Sequence, residues 1–207
     1  MRKLNIPFSD EDIRSLKVGD PVGISGMILT GRDAAHKWMI DTFIEKTRPP
    51  QGDDLKVLAA IKPLLDGGAI YHCGPVVAGL ESRDYRFVAA GPTTSTREEP
   101  YQGDVMRYFN VKGIIGKGGM GPKTLEACQE VPGVYLHAIG GAASLIAQSV
   151  QRVLDVHKLE FGVPEAMWVI EVKDFPTVVT MDSHGESLHA EIAQKSKAVL
   201  AGLLAKV

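Results

Sequence analysis

Gly91-Pro92-Thr93-Thr94-Ser95-Thr96-Arg97 follows directly on the apolar run Phe87-Val88-Ala89-Ala90, and Gly116-Lys117-Gly118-Gly119-Met120-Gly121-Pro122 follows directly on Val111-Lys112-Gly113-Ile114-Ile115. Each segment reads as a loop at the end of a buried strand, where a scaffold can present side chains to a ligand. The first carries four hydroxyls and a guanidinium within five residues. The second carries an ammonium on a backbone nearly free of Cβ atoms, so a ligand can come close to peptide N–H groups. Together they describe an anion site. Taken alone, Thr-Thr-Ser-Thr also suits a turn or a helix cap. Gly116-x-Gly118-x-x-Gly121 matches a dinucleotide fingerprint, but no acidic residue stands at a strand end about 20 positions on. A phosphate-binding P-loop also fails, because Gly118 and not Ser or Thr follows Lys117.

Outward from these loops, the chain alternates strands and helices in its middle and gathers strands toward both ends. Ser9-Asp10-Glu11-Asp12 starts a short helix, with a Ser cap and acidic residues in the first turn. Pro21 to Leu29 is a strand interrupted by Gly23 and Gly26, and Arg32 stands at its end. Ala34, Ala35, Trp38, Met39, Thr42 and Phe43 give helical spacing to about Lys46. A loop at 47–52 and a helix over 55–65, broken by Pro63, come next. Ala69 to Val77 reads as a strand, and Tyr85 to Ala90 pairs back as a hairpin. A helix spans 98–109 and a strand 111–115. The helix opened by Pro122 turns Leu125, Cys128 and Val131 inward. Val134 to Ile139 is a strand, and a helix runs from Gly140 through Val153. Ala166 to Val172 and Thr177 to Met181 form a strand pair across 173–176. An amphipathic helix closes the chain from Glu186 to Val207. The pattern is a three-layer α/β or α+β domain and not a doubly wound sheet. It reads as one domain over 1–207, with a short N-terminal arm at 1–12.

With 207 residues the chain can bury a proper core. A net charge of −2 gives no electrostatic footprint for nucleic acid or membrane. No run approaches the roughly 18 apolar residues of a spanning helix, and the N-terminus has no apolar signal core, so a cytoplasmic protein is expected. Cys73 and Cys128 lie far apart, outside any Cys-x-x-Cys pair, and two thiolates cannot hold a four-iron cluster.

Gly-Pro-Thr-Thr-Ser-x-Arg followed by Gly-Lys-Gly-Gly-Met-Gly resembles the β subunit of class I iron–sulfur fumarate hydratases and L-tartrate dehydratases. Leu29-Thr30-Gly31-Arg32-Asp33-Ala34-Ala35-His36 and Met167-Trp168-Val169-Ile170-Glu171-Val172-Lys173-Asp174-Phe175 resemble two further signatures of that family. The likeness runs from about Lys17 to Gly185. It implies the swivelling β/β/α fold and a hydro-lyase acting on a C4-dicarboxylate. It also implies a [4Fe-4S] cluster ligated by a partner α subunit, in an α2β2 assembly. By the resemblance, Arg32, Arg97 and Lys117 bind substrate together with Gly118, and Thr93 is the base.

The chemistry agrees with those types. Arginine forks hold carboxylates by two-point charged bonds, and a lysine can stabilise the doubly charged aci-carboxylate formed as a C–H proton leaves. His36, Thr94 and Ser95 are supporting residues, while His72 and His184 read as structural. Glu98 departs from the family pattern, in which many relatives carry Met, and leaves fumarate and tartrate both open. The reading is reversible hydration of fumarate to (S)-malate, with L-tartrate dehydration as the alternative. The rival from another class is a non-catalytic domain that binds a dianion or nucleotide.

Overall fold

The computed structural model describes residues 1–205. In chain order it contains β1 (Arg2–Asn5), α1 (Asp10–Arg14), β2 (Pro21–Thr30), α2 (Asp33–Met39) with a π-helical turn at Ile40–Ile44, α3 (Asp54–Leu65), β3 (Ala69–Tyr71), β4 (Val76–Ala78) and β5 (Arg86–Ala89). A 3₁₀ turn at Ser95–Arg97 leads into α4 (Glu99–Phe109), followed by β6 (Gly113–Gly116), α5 (Pro122–Glu130), β7 (Val134–His137) and α6 (Ala143–Ala147). The chain ends with β8 (Val150–His157), a 3₁₀ turn at Leu159–Phe161, β9 (Met167–Met181) and α7 (Leu188–Leu204).

β2 and β9 organise the sheet, whose order is β1-β2-β3-β6-β7-β9-β8 with a further β2–β9 pairing. β2 lies antiparallel to β9 along nearly its whole length. Its other edge is divided, residues 22–25 taking β1 and residues 29–30 taking β3, both parallel. β9 divides in the same way between β8 and β7. Strands β2, β3, β6, β7 and β9 thereby close on themselves, and closure leaves no free edge inside the ring.

Side chains alternate along these strands between two apolar clusters. Ile28, Tyr71, Ile115, Leu136, Trp168 and Ile170 point to the barrel interior. Leu29, Ile70, Ile114, Tyr135, Met167 and Val169 point outward, beneath the buried faces of α2, α3, α4 and α5. β6 is buried along its whole length, which is why Gly113 to Gly116 shows no apolar–polar alternation. The result is an α/β fold with α2, α3, α4 and α5 laid on the outer side of a closed sheet, while α1 and α6 pack against the inner cluster. Among the described residues, no helix is long and apolar enough to cross a membrane.

Several segments differ from their sequence reading. The stretch Gly140 to Val153 is not one helix, since α6 stops at Ala147 and β8 begins at Val150. Val150, Val153 and Val156 mimic helical spacing because β8 carries register shifts at 150/152 and 153/155, which stretch its inward repeat from two residues to three. The strand pair expected at 166–181 is a single strand, kinked where Asp174 takes φ 50°. Ala69 to Val77 divides into β3 and β4, and β4 turns away to pair with β5. Pro63 does not break α3, because it lies in the last turn and Val57, Ile61 and Leu65 anchor the helix to the sheet. The inward face of α5 is Thr124, Ala127 and Cys128, with Leu125 half-buried against the same core and Val131 past the helix end. Residues 2–5, read as part of an arm, pair with β2 as β1. α7 buries none of its side chains, and Lys206 and Val207 of the expected closing helix lie outside the described residues.

The bulge that lets β2 follow β9 sits between Ile24 and Gly26. Gly26 takes φ 127°, and a Cβ there would lie 3.0 Å from the Ile6 carbonyl oxygen. Gly26→Ala should therefore cost about 1–3 kcal/mol, the scale for a non-glycine residue forced into such backbone. A urea melt measures this, and a midpoint equal to wild type would show that the bulge relaxes freely.

Candidate active site

The parallel strands β2, β3, β6 and β7 all end on one side of the sheet, where open α/β sheets bind ligands. Arg32 follows β2, His72 follows β3, Lys117 follows β6, and His137 closes β7. The two loops that opened the sequence reading meet at this edge. The Thr93 N–H donates to the His72 carbonyl at 2.7 Å and the Lys117 N–H to the Thr93 carbonyl at 3.1 Å, while the Ser95 N–H donates to the Lys117 carbonyl at 3.0 Å. Thr93 and Lys117, 24 positions apart in sequence, are thus fixed side by side by main-chain bonds alone.

Three cations belong to the loops at this edge. Arg32 is largely buried; its Nη2 lies 3.1 Å from Glu165 Oε1, and its Nε has no partner. Glu165 also accepts from the Ala34 N–H, so it fixes both the guanidinium and the first turn of α2. Arg97 is 62% exposed and forms an ion pair with Asp33. Lys117 is half-buried and, among the described residues, has no carboxylate partner. Gly118 is exposed at the loop tip and Thr94 is exposed beside it. The Thr93 Oγ1 atom is buried and unpartnered. Asp33 Oδ1, Glu98 Oε2, Gln102 Nε2 and His137 Nδ1 are also buried without a partner. Buried polar atoms normally find partners, so this concentration marks a place built for something else.

Behind the cations lies a buried polar relay between helices and sheet. His36 Nδ1 is 2.9 Å from the Arg32 carbonyl, which can only accept, so Nδ1 carries the proton. Desolvation by burial lowers the His36 pKa and holds the ring neutral, which makes its Nε2 an acceptor. That Nε2 and the Nε2 of His72 lie 2.9 and 2.8 Å from one end of the Gln102 amide, placed as Oε1. Two neutral rings with protons on Nδ1 call for the NH₂ at that end, and a half-turn of the amide supplies one N–H to each. His72 then donates from Nδ1 to Ser95 Oγ at 2.8 Å, and the Tyr135 hydroxyl donates to the same oxygen at 2.9 Å. Gly116 is required beneath them, because a Cβ there would lie 1.9 Å from Ser95 Oγ.

His36 and Ser95 lie in this relay, His36 bonded to the Arg32 carbonyl and Ser95 to His72 and Tyr135. His72, Gln102, Tyr135 and Glu165 join the site without a sequence signal strong enough to find them. His72 alone carried one, since it directly follows the apolar strand Ala69–Tyr71. His189 reaches the same loop from the first turn of α7, with Nε2 2.9 Å from Thr180 Oγ1. His184 is elsewhere, bonded to the Arg14 carbonyl.

The nucleotide fingerprint loses its donors. A dinucleotide site uses the free N–H groups at the helix N-terminus after the glycines. Here Glu99 already takes them, with Oε2 accepting from the Gly121 N–H at 2.7 Å and Oε1 from the Lys123 N–H at 3.0 Å. The Thr124 hydroxyl also donates to Glu99 Oε2, at 2.6 Å. The start of α5 is capped from within the protein.

The buried imidazoles make stability depend on pH. The His72 pKa is lowered to about 3, chiefly by desolvation and then by neighbouring His36. The unfolded chain therefore binds protons that the folded chain refuses between about pH 6.5 and 3, and stability falls as pH drops through that window. The slope is at most about 1.4 kcal/mol per pH unit for each histidine. His72→Gln should flatten the decline in urea midpoint between about pH 6.5 and 4.5. An undiminished decline in the variant would assign the acid sensitivity to other groups.

Comparison with known proteins fits this geometry. Residues 2–192 match the family model described as Fumarase C-terminus. A Geobacillus stearothermophilus protein named "Putative fumarate hydratase class I" is 52% identical over 193 residues, covering 93% of this chain and 34% of that protein. The L(+)-tartrate dehydratase subunit beta of Escherichia coli K12 is 37% identical over 189 residues, covering 91% of this chain and 86% of the relative. A Methanocaldococcus jannaschii protein named "Putative L(+)-tartrate dehydratase subunit beta" is 38% identical, with 91% of each chain covered. The chain thus spans about a third of the length of one relative and most of the other two. With the matched model reaching from β1 into α7, the chain belongs to the fumarase C-terminal family of hydro-lyases.

Proposed function

We propose that this chain forms the dicarboxylate-binding half of an iron–sulfur hydro-lyase that interconverts fumarate and (S)-malate. The observation that carries the reading is the main-chain bonding of the Thr93 loop, which also carries Arg97, to the Lys117 loop at the sheet edge where Arg32 follows β2, with the Thr93 hydroxyl unpartnered. Two carboxylates and one developing charge need three cations. The higher identity to the relative named "Putative fumarate hydratase class I" favours fumarate over tartrate. L-tartrate dehydration is the second reading, favoured by relatives so named that align over most of their own length. A nucleotide-binding domain is disfavoured by the capped start of α5.

The described residues offer no group of three or more His, Cys, Asp and Glu able to hold a metal ion. Cys73 and Cys128 are both buried, and burial pushes each thiol up to about 12. These side chains do not fit a cluster, so we assign it to a partner α polypeptide or domain, in an α2β2 assembly where the halves are separate chains. Bound there, it supplies the Lewis acid for the hydroxyl group.

The part left to this chain is positioning and charge. Arg32 keeps its Nε free while Glu165 orients the fork, so one carboxylate can add to an arginine already held in place. Arg97 must share itself between Asp33 and the other carboxylate. The Thr93 hydroxyl stands beside Lys117 with no bond to give up, as a group that accepts a proton only in the presence of substrate requires. Lys117, which has no acidic partner among the described residues, can stabilise the aci-carboxylate as the proton leaves.

Reconstitution with the cluster-bearing partner, assayed on fumarate and L-tartrate, tests the proposal directly. Lys117→Met should lower kcat about 10²–10³-fold and change KM little, the scale for one preorganised donor that acts in the transition state. A raised KM with kcat intact would make Lys117 a ground-state binder instead. Arg97→Lys keeps the charge but loses the planar fork, and a loss of about 1.5–3 kcal/mol in kcat/KM is expected. Wild-type kinetics from that variant would reduce Arg97 to a surface ion pair.

A further inference from the structure

Two carboxyl groups flank Arg97, Asp33 as its ion-pair partner and Glu98 as its neighbour in the chain. Asp33 opens α2 and Glu98 precedes α4, so both stand at helix N-termini. Asp33 gives Oδ2 to the Arg97 guanidinium. Its Oδ1 and the Oε2 of Glu98 are buried and have no donor. Glu98 is only 1% exposed, so water cannot serve it. The groups that face it are Asp33 from α2, Arg97 from the 3₁₀ turn and Tyr135 from β7. Arg97 is already committed to Asp33, and burial raises the pKa of the Tyr135 phenol and keeps it neutral. Two ionised carboxylates at one guanidinium, each with an orphaned buried oxygen, are unfavourable on both counts. One proton between them satisfies both oxygens and removes one of the charges.

We propose that Asp33 and Glu98 share a single proton, and that Glu98 is a positioning residue controlling how firmly Asp33 holds Arg97 away from a substrate carboxylate. The second half of this rests on the substrate-binding role given to Arg97 above. The electrostatics run the same way. Burial, followed by the hydrogen bond and charge of Asp33, pushes the Glu98 carboxyl up to about 8, against the opposing pull of Arg97. Below that pH the pair carries one negative charge, and Arg97 balances it. Above it the pair carries two, which draws Arg97 toward Asp33 and repels an arriving dianion. Substrate binding should therefore weaken as pH rises through about 8, and KM should carry the effect rather than kcat. Glu98→Gln keeps an N–H for Asp33 and cannot ionise, so its KM should lose this dependence.

Two measurements test the proposal. In the full chain with carboxyl carbons labelled by ¹³C, an NMR titration should place the Glu98 midpoint well above the ordinary value of about 4.3 and Asp33→Asn should bring it down. This arm needs no partner and no activity. In the reconstituted complex, KM for fumarate should rise at least about threefold between about pH 7.5 and 9.5, with tenfold per unit as the ceiling for one proton. The same profile in Glu98→Gln should be flat. A Glu98 midpoint in the ordinary carboxylate range, or a Glu98→Gln profile matching wild type, overturns the proposal. If Glu98→Gln does not fold, Asp33→Asn carries the test, since a wild-type Glu98 midpoint in it would equally overturn the pairing. A raised midpoint alongside a complex inert toward dicarboxylates supports the shared proton while refuting the hydro-lyase reading.

Discussion

A strand has two edges, and β2 has three partners. Every other feature of the fold follows from how that conflict is resolved. β9 takes one whole edge, while β1 and β3 divide the other between its two halves. The division turns a sheet into a ring, and the ring brings the carboxyl ends of β2, β3, β6 and β7 to one side. It also gives each strand an inner and an outer apolar face, so helices can cover the outer one without competing for the barrel interior. Arg32, His72, Lys117 and His137 then stand together because each lies at or just past a parallel strand's end.

The site mixes buried groups that must stay neutral with exposed groups that must stay charged. The imidazoles of His36 and His72 are desolvated and bridged by one amide, so they hold geometry and contribute no charge. The guanidinium of Arg97 and the ammonium of Lys117 remain partly in solvent and can meet an anion. This separation suits a dianionic ligand. Fixed dipoles behind the cations cost nothing to reorganise when charge shifts during reaction.

The elements around the site were legible because their signals are local. The Ser9 cap, the loop glycines, Pro122 at the start of α5 and the apolar strands each act within a few residues. Where the reading failed, a distant contact had changed the local period. β8 resembled a helix because two bulges against β9 spread its valines three apart. β9 resembled a hairpin because Lys173 and Asp174 turn sharply to follow the bulge in β2. The motif arginines and lysine stood out by residue type, and the structure brings their loops together. Glu165 and Gln102 did not, because a lone Glu before a strand and a lone Gln in a helix look like any solvated residue. Only the fold places one on Arg32 and the other between two histidines.

The bonds joining the Thr93 loop to the Lys117 loop run from backbone to backbone, so the frame of the site does not depend on which side chains it carries. Thr94, Thr96, Arg97 and Gly118 are exposed on that frame. Such a scaffold separates the inheritance of shape from the inheritance of chemistry. Substitution of an outward group leaves the main-chain frame intact, so the side-chain chemistry can change without rebuilding the barrel. Relatives named for fumarate hydratase and for tartrate dehydratase both align over more than nine-tenths of this chain, as a shared frame permits.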